Sequence, residues 1–395
     1  MITVIGCDGS ALGGPARDAL AQATLVVGAP RHLAAAGVPA RTPTVTLGNV
    51  DEAVCRLAGE SGPAVVLASG DPGFFGIVRR LRTAGLEPRV LPAVSSVALA
   101  FARIGVPWDD AVVVSAHGRD PGPALAAARA AGKAAVLTSP ECGPAQIAAA
   151  VAGWGRTLVV CERLGAADEL IVPVAPEQAA DRQWRDPNVV LVLAGEPATG
   201  GDPRWVGGGP ATPAGWALPD DAFEHRAGML TKYEVRALAL SRVAPRLGTL
   251  VWDVGAGSGS VAVECARFGA AAVAVERDAD EIARIGRNAR AHDVTVQAVH
   301  GEAPAALEAL PDPDAVFVGG GGPAVVEACA ARRPDRVVVA LAAVERVGPA
   351  AQALAHAGYA TDGVLVHASR LAALPDGAHR LAATNPVALV WGVLQ

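Results

Sequence analysis

The stretch Leu250-Val251-Trp252-Asp253-Val254-Gly255-Ala256-Gly257-Ser258-Gly259-Ser260-Val261-Ala262 decides how the second half of this chain is read. An apolar run of strand length ends in an acid, passes through three alternating glycines and enters an apolar helix. Glycine suits that turn for two reasons. The chain must bend sharply from strand to helix, and a ligand must approach bare backbone where the helix amides are free. The next strand, Ala272-Val273-Ala274-Val275, ends at Glu276. That is about the spacing at which a Rossmann-like unit sets a carboxylate against ribose hydroxyls.

Dinucleotide loops usually space their glycines G-x-G-x-x-G and seat a pyrophosphate on the helix N-terminus. Here the spacing is G-x-G-x-G with Asp253 two residues ahead, which repels a pyrophosphate and favours a cationic sulfonium. S-adenosylmethionine (SAM) is the expected ligand; a nicotinamide dinucleotide and a glycine turn without ligand are the alternatives. The candidate contacts are Asp253, Gly255, Ala256, Gly257, Ser258, Gly259 and Glu276. Ala303 joins them from Gly301-Glu302-Ala303-Pro304, a turn that lies over an adenine or simply connects strand to helix. Gly319-Gly320-Gly321-Gly322, after the fourth strand, suits close approach of a large planar ligand or plain mobility.

Outward from this loop, β-branched runs alternate with Ala-rich helical stretches. The second half predicts a helix at 231–244 and strands at 249–253, 271–275, 294–299, 314–318 and 335–340. Two closing strands, 361–367 and 387–394, are joined by a loop around Pro375-Asp376-Gly377. This suits an open doubly wound sheet with an antiparallel edge strand. The first half predicts strands at 2–6, 24–27, 64–68, 88–91, 111–115, 134–137, 157–161 and 188–193, with helices at 74–84, 96–104 and 143–152. The fold class is therefore α/β with mostly parallel strands. A length of 395 residues predicts two domains. Gly195 to Pro219 is broken by Gly and Pro and has no period, so we expect domains at 1–200 and 223–395 with a linker at 201–222.

Composition removes several functions. Lys and Arg number 33 against 39 Asp and Glu, a net charge of −6 with no basic run, so nucleic acid is not an expected partner. Apolar runs are strand-length, so no membrane span is expected. The six cysteines show no Cys-x-x-Cys and no zinc spacing, so no metal is expected. They suit small buried thiols in a reducing compartment. The opening Met1-Ile2-Thr3-Val4-Ile5-Gly6 lacks a basic segment and reads as a strand rather than a signal peptide, so a cytoplasmic location is expected.

Gly228-Met229-Leu230-Thr231-Lys232-Tyr233-Glu234-Val235-Arg236 precedes the glycine loop, and His379-Arg380-Leu381 to Asn385-Pro386-Val387 follows it. With these, the second half resembles the decarboxylating precorrin methyltransferases of cobalamin biosynthesis. The first half resembles the tetrapyrrole methyltransferase family through Ser69-Gly70-Asp71-Pro72-Gly73-Phe74-Phe75-Gly76, Pro92-Ala93-Val94-Ser95-Ser96-Val97, Ser115-Ala116-His117-Gly118-Arg119 and Cys161-Glu162-Arg163-Leu164-Gly165. The turn Gly6-Cys7-Asp8-Gly9-Ser10 is shorter than in that family, whose members commonly carry a second glycine soon after the first strand.

The resemblance implies a two-lobed first domain, a Rossmann-like second domain and a SAM site in each. It implies methylation of a precorrin of the 6B type at ring position 5 by the first domain. The second would serve position 15 and decarboxylation of the ring C acetate. In the first domain it points to Gly70, Asp71, Phe74, Ser95 and Ser96 for SAM, with Ser95-Ser96 also suited to capping a helix. Thr231 matches a SAM-contacting position or caps its helix. Such a substrate carries many carboxylates, so His117, Arg119, Lys232, Arg236, His379 and Arg380 are its expected partners; His225 and Arg226 are weaker candidates. No catalytic acid or base is identified. A homo-oligomer is expected.

Overall fold

The computed structural model describes residues 1–48, 50–195, 215, 217–226 and 230–395. Most of the expected linker (201–214 and 216) and Gly228-Met229 lie outside the described residues. The chain divides into two compact units that are not contiguous in sequence. The first comprises 1–119, 133–149 and 157–208; the second comprises 120–132, 150–156 and 209–395.

The first unit holds two five-stranded sheets. One is wholly parallel, formed by β1 (Ile2–Cys7), β2 (Leu25–Gly28), β3 (Thr44–Thr46), β4 (Ala64–Ser69) and β5 (Arg89–Leu91) in the order β3-β2-β4-β1-β5. Its inner strands β1, β2 and β4 are apolar at successive residues because both faces are buried. Val4, Leu25, Val27 and Val66 line one side, and Ile5, Val26, Val65 and Leu67 the other. The other sheet is mixed: β6 (Val112–Ser115), β7 (Lys133–Leu137), β8 (Arg156–Glu162), β9 (Leu170–Val174) and β10 (Asn188–Ala194), in the order β6-β7-β10-β8-β9. Every expected strand of this half lies within one residue of its bounds. The expected helix 74–84 shrinks to Val78–Thr83, because Pro72, Gly73 and a left-handed Phe75 hold the preceding stretch in a turn. Strands β3 and β9 were not expected. The first is a polar triplet. The second carries Pro173, which an edge strand tolerates.

The second unit is built on β11 (Leu250–Val254), β12 (Ala271–Glu276), β13 (Val296–His300), β14 (Ala315–Val318), β15 (Arg336–Leu341), β16 (Tyr359–Val366) and β19 (Val387–Leu394), in the order β13-β12-β11-β14-β15-β19-β16. Leu250, Trp252 and Val254 pack into the core on one face, and Val251 into the core on the other. Two expectations are corrected. The antiparallel strand is not the edge: β19 lies between β15 and β16 and is antiparallel to both. Leu389 and Val390 enter opposite cores, so β19 is covered on both faces, whereas Ala360 to Leu365 of β16 are exposed. The stretch around Pro375-Asp376-Gly377 is not a plain loop but the turn of a hairpin, β17 (Ser369–Ala373) and β18 (His379–Ala383), which pairs Leu371 with Leu381. Among the described residues no helix is long and apolar enough to cross a membrane.

Candidate functional site

In the second unit the residues singled out in the sequence meet at the carboxyl ends of β11, β12 and β14. Gly255 has φ +70°, and a Cβ there would come within 2.8 Å of the Gly320 amide nitrogen. The glycine loop and the four-glycine mouth therefore touch backbone to backbone, which no larger residue permits. The Gly319 amide donates to Val254 O at 2.9 Å and fixes that approach.

Asp253 is 1 % exposed. Its Oδ2 accepts from the Ala262 amide at 2.9 Å, in the first turn of the helix Ser260–Arg267, while its Oδ1 has no partner. Burial, offset in part by the Ala262 hydrogen bond and reinforced by the charge of Glu276, pushes its pKa up to about 7. A buried carboxylate with an orphaned oxygen fits a ligand that brings a positive charge or a donor. Glu276 sits one strand over. Its Oε2 accepts from the Gly257 amide at 2.8 Å, and its Oε1 from the amides of Arg277 and Asp278. The acid thus braces the loop and stays partly exposed. The Gly301 amide donates to Glu276 O at 2.9 Å, so the turn holding Ala303 abuts the same acid. Ser258 is buried, and its carbonyl accepts from Asn288 Nδ2 at 2.8 Å; Ala256 lies half-buried between them.

Beside this loop, Val318, Gly319 to Gly322, Val339 to Ala343, Arg346 and Ala350 line a cavity of about 250 Å³. Its wall is apolar except for Arg346, whose Nη1 donates to Gly321 O at 2.9 Å. Neither Arg346 nor this cavity was singled out in the sequence; only the glycine run pointed here.

The expected cations of this unit separate. Arg236 is wholly buried: Nη1 donates to Thr231 O at 2.6 Å, Nη2 to Leu218 O, and Asp220 and Glu264 flank it at 3.6 Å. It is a strut under the helix Tyr233–Val243 and turns no donor outward. Lys232, not Thr231, is the N-cap of that helix, and Thr231 is half-buried just before it. His379 and Arg380 are exposed on β18. Arg370, which the sequence did not flag, anchors this hairpin by donating to both oxygens of Glu234 and to Asp220 at 2.7 to 2.9 Å. It brings the strands carrying His379 and Arg380 to the start of the helix that follows Lys232. His225 Nδ1 donates to Phe223 O at 2.9 Å, and Arg226 faces Asp278 and Glu281 at 3.7 and 4.0 Å.

In the first unit the motifs gather at the carboxyl ends of β1 and β4. A Cβ on Gly6 would overlap Gly70 O at 2.6 Å and the Ala93 amide at 2.7 Å. Gly70 donates to Cys7 O at 2.7 Å and abuts the Ser96 amide. Asp71 Oδ1 accepts from the Gly73 amide at 2.7 Å. Ser95 caps the helix Ser96–Ile104 by accepting from the Ala98 amide at 3.1 Å, as expected of a cap. Phe74 and Phe75 are over a third exposed and pack edge to face, and Arg119 lies 5.5 Å from the Phe75 ring. His117 is exposed beside Arg119. The short turn after β1 is wedged: a Cβ on Gly9 would meet Gly165 O at 2.0 Å, and one on Gly165 would meet Asp8 O at 1.9 Å. This close approach accounts for a glycine in Cys161-Glu162-Arg163-Leu164-Gly165. The sequence missed Arg31 and His32, although both follow β2 directly, the same signal that marked His117 and Arg119.

Residues 221–393 match the family model "Precorrin methyltransferase domain", and residues 12–180 match "Tetrapyrrole (Corrin/Porphyrin) Methylases". The chain is similar to "Precorrin-6Y C(5,15)-methyltransferase [decarboxylating]" of Sinorhizobium sp, with 40 % identity over 81 % of this chain and 78 % of that protein. The protein of the same name from Mycobacterium tuberculosis (strain CDC 1551 / Oshkosh) is 36 % identical over 83 % of each. The "Probable cobalt-precorrin-6B C(15)-methyltransferase (decarboxylating)" of Pyrobaculum calidifontis is 39 % identical over 158 residues, covering 38 % of this chain and 80 % of that protein.

Proposed function

The chain belongs to the precorrin-6Y C(5,15)-methyltransferase (decarboxylating) family, and from that premise we propose how its two units divide the work. It is a SAM-dependent methyltransferase that methylates positions 5 and 15 of a precorrin and decarboxylates the ring C acetate in cobalamin biosynthesis. We assign one SAM site to each unit. The second unit takes position 15 and the decarboxylation; the first takes position 5. The relative named for C(15) methylation and decarboxylation alone aligns over 158 residues, about the size of the second half, which supports this division.

The observation that carries the reading is the buried Asp253 with its orphaned oxygen, set between the glycine loop and Glu276. Asp253, Gly255 to Gly259, Glu276 and Ala303 would hold SAM there, with Thr231 at the margin. Gly70, Asp71, Phe74, Ser95 and Ser96 would hold it in the first unit. When bound, SAM supplies a methyl group already activated on sulfur. The protein's part is to align a ring carbon with that methyl and to exclude water. The glycine contact at Gly255 and Gly320 gives the planar ring backbone-level access, and Arg346, Lys232, His379 and Arg380 are the cations at hand for its carboxylates. In the first unit His117 and Arg119 serve that role. Full burial leaves Arg236 to position this helix rather than to meet substrate.

The test is incubation of the purified chain with precorrin-6B and SAM. A product that gains two methyl masses and loses carbon dioxide is expected; a product with neither change overturns the assignment. Titration with SAM distinguishes two sites per chain from one. We further propose that the chain works in the cytoplasm as a homo-oligomer. The hairpin β17–β18 supports the latter: Leu371 and Leu381 oppose each other at 74 % and 69 % exposure, an apolar pair that a second copy could cover. Sedimentation of Leu371→Glu against the unaltered chain checks it, and an unchanged mass sinks it. The division at 201–222 predicts that limited proteolysis cuts there first.

A further inference from the structure

Arg31 lies in the first unit, in the short helix Pro30–Ala35 that begins just past the carboxyl end of β2. Its Nη2 donates to Ser69 Oγ at 2.7 Å, and Ser69 is the last residue of β4. His32 Nε2 is 2.8 Å from the same hydroxyl. The Ser69 hydroxyl accepts from Arg31 and keeps its own proton to give, an arrangement that suits a neutral His32 with Nε2 as acceptor. The burial of the imidazole, with the neighbouring Arg31 charge, agrees, holding its pKa down at about 4. The Arg31–Ser69–His32 chain thus locks one edge of the guanidinium and leaves its other donors uncommitted.

What surrounds Arg31 is unusual for a guanidinium. It remains open to solvent, and among the described residues no carboxylate lies within ion-pair distance of it. Partial burial and then the like charge of Arg163 both lower its pKa. Arg163 is itself held at Asp168 Oδ2, 2.9 Å away, with its side chain 42 % exposed. The acid on this edge, Asp8, is already engaged by Ser10 and the Val94 amide. The neighbouring Cys7 thiol is neutral, with burial and then Asp8 raising its pKa to about 11. The like charge of Arg163 disfavours the Arg31 charge, and an anion held at Arg31 would offset it.

We propose that Arg31, oriented by Ser69 and His32 and assisted by Arg163, binds a carboxylate side chain of the tetrapyrrole substrate in the first unit. The site stands at the carboxyl ends of β1, β2 and β4, where α/β sheets bind ligands, and Ser69 is followed directly by the Gly70-Asp71 loop assigned to SAM. A side chain held at Arg31 fixes one corner of the macrocycle beside the methyl donor. This inference rests on the functional reading above.

The experiment uses the full chain with precorrin-6B. Arg31→Gln should raise the KM of position-5 methylation roughly 10- to 100-fold, the loss expected of one charge-assisted hydrogen-bonded contact. Position-15 methylation, carbon dioxide loss and SAM affinity by calorimetric titration should be unchanged. Arg31→Lys should recover most of the KM, because charge is retained, and Ser69→Ala should raise it only a few-fold by freeing the guanidinium. An Arg31→Gln chain with unaltered KM overturns the site while leaving the enzyme assignment standing. An Arg31→Gln chain that loses SAM affinity in step with turnover overturns it as well. Failure of the unaltered chain to turn over precorrin-6B overturns the assignment itself and not this site alone.

Discussion

The turns after β11 and after β1 do the same mechanical job and do it with opposite electrostatics. Both leave the carboxyl end of a buried parallel strand, and both place an aspartate at the bend. In the second unit Asp253 is inside the strand, sealed from water, and holds the first turn of the following helix through Ala262. In the first unit Asp8 lies past the strand at the surface, and the Ser10 hydroxyl, its strongest partner, lowers its pKa. One acid carries the cost of burial with one oxygen unpaired; the other is satisfied by Ser10 and the Val94 amide. Both turns are packed backbone to backbone, but against different partners: Gly255 against Gly320 of the glycine run that lines the cavity, Gly9 against Gly165. Neither Gly9 nor Gly165 leaves room for a side chain at that contact.

That contrast is easiest to break at Gly255. Gly255→Val forces a branched residue to φ +70° and places its Cβ 2.8 Å from the Gly320 nitrogen. Left-handed backbone costs about 1–2 kcal/mol for such a residue, and displacement of the loop costs alignment, roughly 100-fold in rate for about 1 Å. Position-15 methylation and carbon dioxide release should therefore fall at least that far, with position-5 methylation intact. Product mass spectra read both at once, and equal loss of the two methyl groups would break the division of labour. Glu276→Gln should act more gently. Either the Gly257 amide or the pair of amides at Arg277 and Asp278 would then face an NH2 group instead of an oxygen. That costs about 1–3 kcal/mol, or roughly tenfold or more in SAM affinity of the second unit by titration.

Much of this contrast is legible in residues alone, because it rests on short-range rules. Leu250 to Val254, the glycine spacing and Glu276 are set by buried parallel strands and a helix start, which leave local patterns. The topology at the far end of the second sheet is less legible. Nothing in Val387 to Leu394 says that it inserts between β15 and β16; burial of Leu389 and Val390 on opposite faces becomes visible only once the strands are assembled. Charged side chains are the least legible of all. Arg236 and Arg370 have the same residue type and sequence surroundings of similar polarity. Arg236 is buried whole, while Arg370 pins a hairpin to Glu234 and Asp220. Arg31 carries the same local mark as Arg119, a place just past a strand; its link to Ser69, 38 residues away, is visible only in the fold.

The acids give a smaller test with a sign that differs between the units. Burial raises Asp253 from the usual aspartate value near ~4 to about 7. Between those values the unfolded chain has released its proton and the folded unit keeps it. The second unit therefore loses stability as pH rises through that window, pays nothing below it and the full penalty above it. Asp8 is shifted the other way, so its contribution is present above the ordinary aspartate range and fades as pH falls through its lowered value. Calorimetric melting of ligand-free protein should show Asp253→Asn flattening the decline between pH 4 and 7. Asp8→Asn should remove stability chiefly at neutral pH. Identical pH profiles for the two variants would refute the contrast.

The smallest expected effect lies at the helix starts. In the second unit the helix Ser260–Arg267 begins at a left-handed Gly259 with no side-chain cap, and the strand acid Asp253 takes the Ala262 amide instead. In the first unit Ser95 caps the helix Ser96–Ile104 from within its own chain segment, 3.1 Å from the Ala98 amide. Ser95→Ala leaves that amide to solvent or ligand and should cost about 1 kcal/mol of stability. If Ser95 also meets SAM, affinity in the first unit should fall by more than the melting shift alone explains, with the second unit untouched. A melting shift with unchanged SAM affinity would make Ser95 a cap and nothing more, and would move the first unit's cofactor contacts to Gly70, Asp71 and the Ser96 amide.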